Sequence, residues 1–330
     1  MHVPVWIWLA TLAGIVALFL FDFVAHVRKP HEPTFKEAAW WSAFFIAIAL
    51  LFGAGLWWVW GHQHGAEYFA GFVTEKSLSV DNLFVFVTIM ARFAVPPVYQ
   101  QKALLIGIAI ALILRGLFIA VGAAAIAQFS WVFYIFGAFL LYTAAHLTWE
   151  FFNKDEDEGY KPGPGVRLLQ RLLPTTDDYH GQRLFARQGG RWMVTPLFIA
   201  VAALGFTDVL FALDSIPAIY GLTKEPYIVF TTNAFALLGL LQLYFLLGGL
   251  LDRLVFLGLG LSAILAFIGV KLVLEALHEN SLPFINGGQP LHGIPEVPIW
   301  LSISVILGVL VVTTVASLIH SGFRDRNARL

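Results

Sequence analysis

Residues 102–126 read KALLIGIAIALILRGLFIAVGAAAI, an apolar run that opens on Lys102 and holds one further charge, Arg115. As a helix a run of this length covers more than the roughly 30 Å of a bilayer's hydrocarbon layer. Similar runs recur from end to end. Breaks at charged and Pro/Gly clusters divide the chain into about nine of them, near residues 5–25, 38–60, 68–91, 102–126, 129–151, 194–220, 227–250, 254–276 and 297–320. The expected fold is all-α, a polytopic transmembrane helical bundle with lipid as its partner.

Composition agrees. The 330 residues are 59% hydrophobic and 12% charged, against about 25% charged in soluble domains. A net charge of −1 leaves no basic footprint for nucleic acid. Cysteine is absent, which excludes disulfides, thiolate metal sites and thiol redox chemistry. The first run, Val5 to Phe23, has no Lys or Arg before it and no small-residue cleavage site, so it reads as a retained span.

Basic residues test the number of spans, because they gather on the cytoplasmic connections. Arg28, Lys29 and Lys36, then Arg92 and Lys102, then seven between 154 and 191, then Arg253, then Arg324, Arg326 and Arg329 fall on one side; only Lys224 falls on the other. The expectation is an N-terminus outside and a C-terminus in the cytoplasm, in a bacterial inner membrane. Residues 1–152 then hold spans one to five, 153–193 form a cytoplasmic loop, and 194–330 hold spans six to nine. The acidic run Asp155 to Glu158 reads as a solvated charge cluster. His62, His64, His278 and His292, on loops, read as ordinary surface histidines rather than metal collectors. Trp57, Trp58, Trp60, Trp131, Trp149, Trp192 and Trp300 sit near span ends, as interfacial anchors do.

Two spans break the rule that membrane helices avoid charge. The third carries Glu75-Lys76-Ser77-Leu-Ser79-Val-Asp81-Asn82, and the sixth carries Asp208-Val-Leu-Phe-Ala-Leu-Asp214-Ser215. Glu75 is expected near one edge of its span, with Asp81 and Asp208 close to mid-membrane. Each buried charge costs roughly 2.5 to 3.5 kcal/mol on insertion scales, so four cost on the order of 10 kcal/mol before pairing. Lys76, Arg115 and Lys271 also fall inside spans and could neutralise some of them as structural pairs. Pairing alone gives no reason for Ser79, Asn82 and Ser215 beside the acids, and intramembrane ionisable residues by default mark an ion or substrate path.

The spacing repeats. An acid precedes an Asp-polar pair by six residues in both spans, and the spans run in opposite directions. This suggests an inverted repeat of spans 3–5 and 6–8, an architecture that places ion sites near the midplane. Glu75 and Asp81 point about 120° apart on one helix, so a site must combine helices or unwind one. Pro217 is the expected break, since it frees the carbonyl of Leu213. Carboxylate, amide and hydroxyl oxygens without Cys or His form a hard-ligand set for Mg²⁺, Ca²⁺ or Mn²⁺.

At these residues the chain resembles the TerC/Alx family of integral membrane proteins. Glu75-Lys-Ser-Leu-Ser-Val-Asp81-Asn82-Leu-Phe-Val-Phe86 and Asp208-Val-Leu-Phe-Ala-Leu-Asp214-Ser-Ile-Pro-Ala-Ile219 match its two hallmark segments. Thr195-Pro-Leu-Phe198, Leu173-Pro-Thr-Thr-Asp-Asp-Tyr-His-Gly181 and Gly269-Val-Lys271 extend the likeness, roughly from Asp22 to Val273. The resemblance implies a bundle distantly related to LysE-type exporters and a role in moving Mn²⁺ out of the cytoplasm. It implies metal-path residues at Glu75, Asp81, Asn82, Asp208, Asp214 and Ser215. Ser79, Lys76, Lys271 and Arg115, read from the sequence itself, are expected around them. Two positions depart: Gly205 stands where the family usually has Glu, and Leu241 where it often has Arg.

The functional expectation is therefore a divalent cation exporter, most readily for Mn²⁺, working by alternating access around midplane carboxylates, with protons as a natural exchange ion. A membrane scaffold or assembly factor is the first rival, and some plant relatives suggest it. A membrane-embedded metal-dependent enzyme is the second, with neither His-Glu-x-x-His nor Gly-x-Ser-x-Gly present to support it, so no enzyme and no resident cofactor are expected.

Overall fold

The computed structural model describes residues 1–27, 33–129, 131–153, 173–176, 179, 181–188, 191–247, 254–278 and 297–327, with single positions between 280 and 295. Among them the helices are α1 (Val5–Val27), α2 (Phe35–Trp60), α3 (His62–Arg92), α4 (Pro97–Gln128), α5 (Val132–Phe152), α6 (Pro196–Tyr220), α7 (Pro226–Leu237), α8 (Leu240–Leu247), α9 (Leu257–His278) and α10 (Ile299–Asn327). Local chemistry sets several of the starts. Thr34 caps α2 by accepting from the Glu37 amide at 3.3 Å, and Pro97, Pro196 and Pro226 open α4, α6 and α7, where a missing N–H costs nothing.

Among the described residues eight helical stretches, with α7 and α8 forming one of them, are long and apolar enough to cross a membrane. Helix α3 is too charged to join them by composition, but its 31 residues are ample in length. Large apolar side chains cover the outside of the bundle: Leu51, Trp58, Ile113, Leu117, Val121 and Val312 are all exposed, while Arg115, Glu75 and Asp208 are buried. Polarity is inside out relative to a soluble domain. On α4 the periodicity shows this directly. Ile108, Ala111, Arg115 and Ile119 form a buried stripe at spacings of three and four, and Ile113, Leu117 and Val121 face outward.

Hydrogen bonds sort the connections to two ends. At one end the Met1 ammonium meets Glu225 at 2.5 Å, Thr223 donates to Glu67 at 2.7 Å, and Tyr134 donates to Asn280 at 3.2 Å. At the other, the Tyr179 hydroxyl donates to the Phe93 carbonyl at 2.6 Å, Lys102 to the Gln182 carbonyl at 2.8 Å, and the Phe256 amide to Ser317 at 2.9 Å. Burial pushes the Tyr179 phenol up from its ordinary value. The connections joined by these bonds fall on the ends that nine alternating crossings require.

The packing carries the signature of a two-fold exchange. Helix α3 packs on α7 and α4 on α6, while α5 and α9 form the most extensive pair in the bundle. A two-fold relating α3–α5 to the spans from α6 to α9 would map the first two pairings onto each other and the third onto itself. At the centre of the α5–α9 pair, a Cβ on Gly137 would lie 3.0 Å from the Gly269 carbonyl, and one on Gly269 would lie 3.1 Å from the Gly137 carbonyl. Only glycine lets these backbones touch. Helices α1 and α10 are peripheral, and α7–α8 is the most enclosed span.

Three expectations are corrected. The break falls in the seventh span and not at Pro217: α6 runs through Pro217 to Tyr220, whereas Gly239, with φ +80°, separates α7 from α8. Pro217 lies one turn from its helix end, and the Pro217 carbonyl still accepts from Gly221 at 2.9 Å, so the ladder loses only the bond proline cannot make. Glu75 is not near an edge, because α3 begins at His62, six residues ahead of the expected 68. The loop before α6 is also more ordered than expected. Strands β1 (Phe185–Gln188) and β2 (Arg191–Val194) pair antiparallel, with Phe185 opposite Val194. The acidic run 155–158 and His292 lie outside the described residues.

Candidate functional site

Four helices meet around the Arg115 guanidinium at mid-depth. From α4, its Nε and Nη2 donate to the two carboxylate oxygens of Asp208 on α6, both at 2.9 Å. Its Nη1 donates to Glu75 Oε1 on α3 and to Asn233 Oδ1 on α7 at 3.0 Å, with Ser215 Oγ of α6 at 3.4 Å. The forked contact with Asp208 is the bidentate geometry that suits a planar guanidinium. All five residues are essentially sealed from solvent.

The charges do not cancel here. Glu75 and Asp208 bring two carboxylates to one guanidinium, and Asp214, half-buried on α6, lies within electrostatic range of both Glu75 and Arg115. Lys76 lies in the field of Glu75, so three acids face two bases among the described residues. Some polar atoms are also left over. Glu75 Oε2, Asn233 Nδ2 and Ser79 Oγ are buried without a hydrogen-bond partner among the described residues. Buried polar atoms are ordinarily satisfied, so unpartnered ones beside a surplus of acid mark a place with unused binding capacity.

Of the residues singled out in the sequence, Glu75, Asp208, Ser215 and Arg115 share this locus. Asn82 is buried on α3 two turns beyond Glu75. The side chain of Asp81 lies outside the described residues, although its backbone belongs to α3. Lys76 points elsewhere: its Nζ donates to the Ala236 carbonyl at 3.0 Å, an oxygen at the end of α7 that the break at Gly239 deprives of its helical partner. A lysine at a helix C-terminus also meets the favourable end of the helix dipole. Lys271 is not at the locus. It contacts Ser302 at 3.4 Å and lies in the field of Glu275, Glu67 and Lys224, near the end that holds Met1.

Arg115 is central rather than peripheral, and Asn233 is an addition that sequence reasoning missed. Its signal was available: the apolar run 227–250 carries two side-chain amides, Asn233 and Gln242. Among the described residues no group of three or more His, Asp or Glu side chains is disposed to hold a metal. The departures at Gly205 and Leu241 are filled by packing. A Cβ on Gly205 would meet Ile110 Cγ2 at 3.2 Å, and Leu241 is buried in the apolar core that includes Leu204.

Comparison with known proteins gives a consistent answer. The model of a family described as "Integral membrane protein TerC family" matches residues 60–324. An uncharacterized membrane protein of Mycobacterium bovis is 50% identical over 98% of this chain and 81% of its own length, and another from Myxococcus xanthus is 41% identical over 96% and 92%. A relative in Escherichia coli K12, named as a proposed membrane-bound redox modulator, Alx, is 36% identical over 91% of each chain. No solved structure matches the chain.

Proposed function

This chain belongs to the TerC family of integral membrane proteins, and from that premise we propose that it exports divalent cations, Mn²⁺ first among them, by alternating access around Glu75 and Asp208. One observation carries the reading. Carboxylates from two helices that run in opposite directions converge at mid-depth with more negative charge than their shared arginine offsets. A surplus charge in a dry interior is costly unless a cation or a proton joins it. The donors are all oxygen, which suits Mn²⁺, Ca²⁺ and Mg²⁺ over softer metals. Protons are the natural exchange ion, and the export direction follows from an inner-membrane placement with the basic loops in the cytoplasm.

The Arg115 pairing favours one rival reading, in which the cluster is a structural pin inside a scaffold, because such pairs also fix helix packing. Efflux separates the two. Proteoliposomes loaded with Mn²⁺ should release it through the wild-type chain and lose that release in Asp81→Asn, Asp214→Asn and Glu75→Gln. Wild-type rates in all three would leave the scaffold standing. The name of the Escherichia coli relative speaks of redox modulation. This chain has no cysteine, so on our reading any redox effect of its own would arise through the metal it moves.

A further inference from the structure

The guanidinium of Arg115 stands where a cation would stand. Five oxygens face it from three helices: Glu75 Oε1, both oxygens of Asp208, Ser215 Oγ and Asn233 Oδ1. Two carboxylates, a hydroxyl and an amide oxygen, with no nitrogen donor among them, are the set that hard divalent ions take. The arginine fits this set imperfectly. It brings one positive charge to two negative ones, and it leaves Glu75 Oε2 buried and without a hydrogen-bond partner among the described residues.

A divalent ion would match both carboxylates. An empty pair of buried carboxylates, in contrast, would be poorly tolerated without some counter-charge. Asp214 sits six residues beyond Asp208 on α6, within the field of Arg115 but making no hydrogen bond to it among the described contacts. It offers the displaced guanidinium a second acid to lean toward.

We infer that Arg115 is a tethered cation that shares one seat with the transported ion. The ion enters only by displacing Arg115 from Glu75 and Asp208, and the return of Arg115 expels the ion and offsets one of the two negative charges it leaves behind. This rests on the export reading and adds to it a competitor built into the chain.

Mn²⁺ titrated calorimetrically into the purified full-length chain in detergent tests it. Arg115→Met removes the competitor and should bind Mn²⁺ at least tenfold more tightly than the wild type, with MnCl₂ raising its melting temperature more than it raises the wild type's. Adding Asp208→Asn to that variant should abolish the gain. Arg115→Lys keeps the charge but not the fork, and should tighten Mn²⁺ binding several-fold if Arg115→Met does not fold. Should every variant that folds bind Mn²⁺ no better than the wild type while the wild type still exports it, the shared seat is wrong and export survives. If neither variant folds even when prepared with MnCl₂, Arg115 is a structural pin and the inference is overturned. A wild-type chain that neither binds nor exports Mn²⁺ takes down the export reading itself.

Discussion

Arg115 treats its two acids unequally. Asp208 receives two parallel hydrogen bonds, whereas Glu75 receives one, from a nitrogen that also serves Asn233. Asp208→Asn should therefore destabilise the bundle more than Glu75→Gln, by about 3–5 kcal/mol for the former, since it removes the better-paired partner of a buried charge. Glu75→Gln leaves the Asp208 pair neutral and should cost less. Unfolding in detergent, followed by circular dichroism, checks the order of the two variants. At this scale the sequence was half legible. It showed that Glu75, Asp208 and Ser215 were anomalous for a membrane interior. It named Arg115 among three possible counter-charges but could not single it out from Lys76 and Lys271, because the partners lie 40 and 93 residues away along the chain and nothing local records the meeting.

Among the elements, the instructive pair is Pro217 and Gly239. Proline is the stronger local signal for a break, yet α6 passes through it. Glycine in a run of leucines carries little signal, yet there the backbone turns into the left-handed region. The difference is tertiary: the carbonyl freed at Ala236 finds Lys76 from α3, 160 residues away, so the break there is compensated. Span positions were readable to within seven residues at each end, because burial in lipid imposes hydropathy directly, while the internal break depends on one distant side chain. Gly239→Ala would place a Cβ about 3.0 Å from Phe45 Cβ and force an L-residue to positive φ. The expected loss is about 1–2 kcal/mol from the backbone alone, read as a lower melting temperature. Gly55→Ala, where no neighbour lies within 4 Å of the new Cβ, serves as the control.

On the scale of the whole molecule, the two ends are distinguished by their cross-links, and the orientation we propose puts the end richer in basic residues in the cytoplasm. The chain contains no cysteine, so single introduced cysteines report without background. His62→Cys, at the end shared with Met1, should react with a membrane-impermeant maleimide in intact cells. Ser321→Cys, near the C-terminal end, should react only after the membrane is opened. Labelling in the reverse order would invert the assigned orientation and turn an exporter into an importer. The nine-crossing order was legible because basic residues alternate along the sequence. The exchange packing of α3 with α7 and α4 with α6 was hinted at only by the six-residue spacing of acids, since helix pairing depends on surfaces rather than on composition.

The spacing of the buried charges also bears on how the chain is made. Glu75 and Arg115 leave the ribosome 40 residues apart, and Asp208 follows Arg115 by a further 93. The amino-terminal half can thus enter the bilayer with that acid and that base already matched one to one, sparing the insertion machinery a lone charge in oil. The excess acid arrives only with the second half, once the helices that must enclose it are in place.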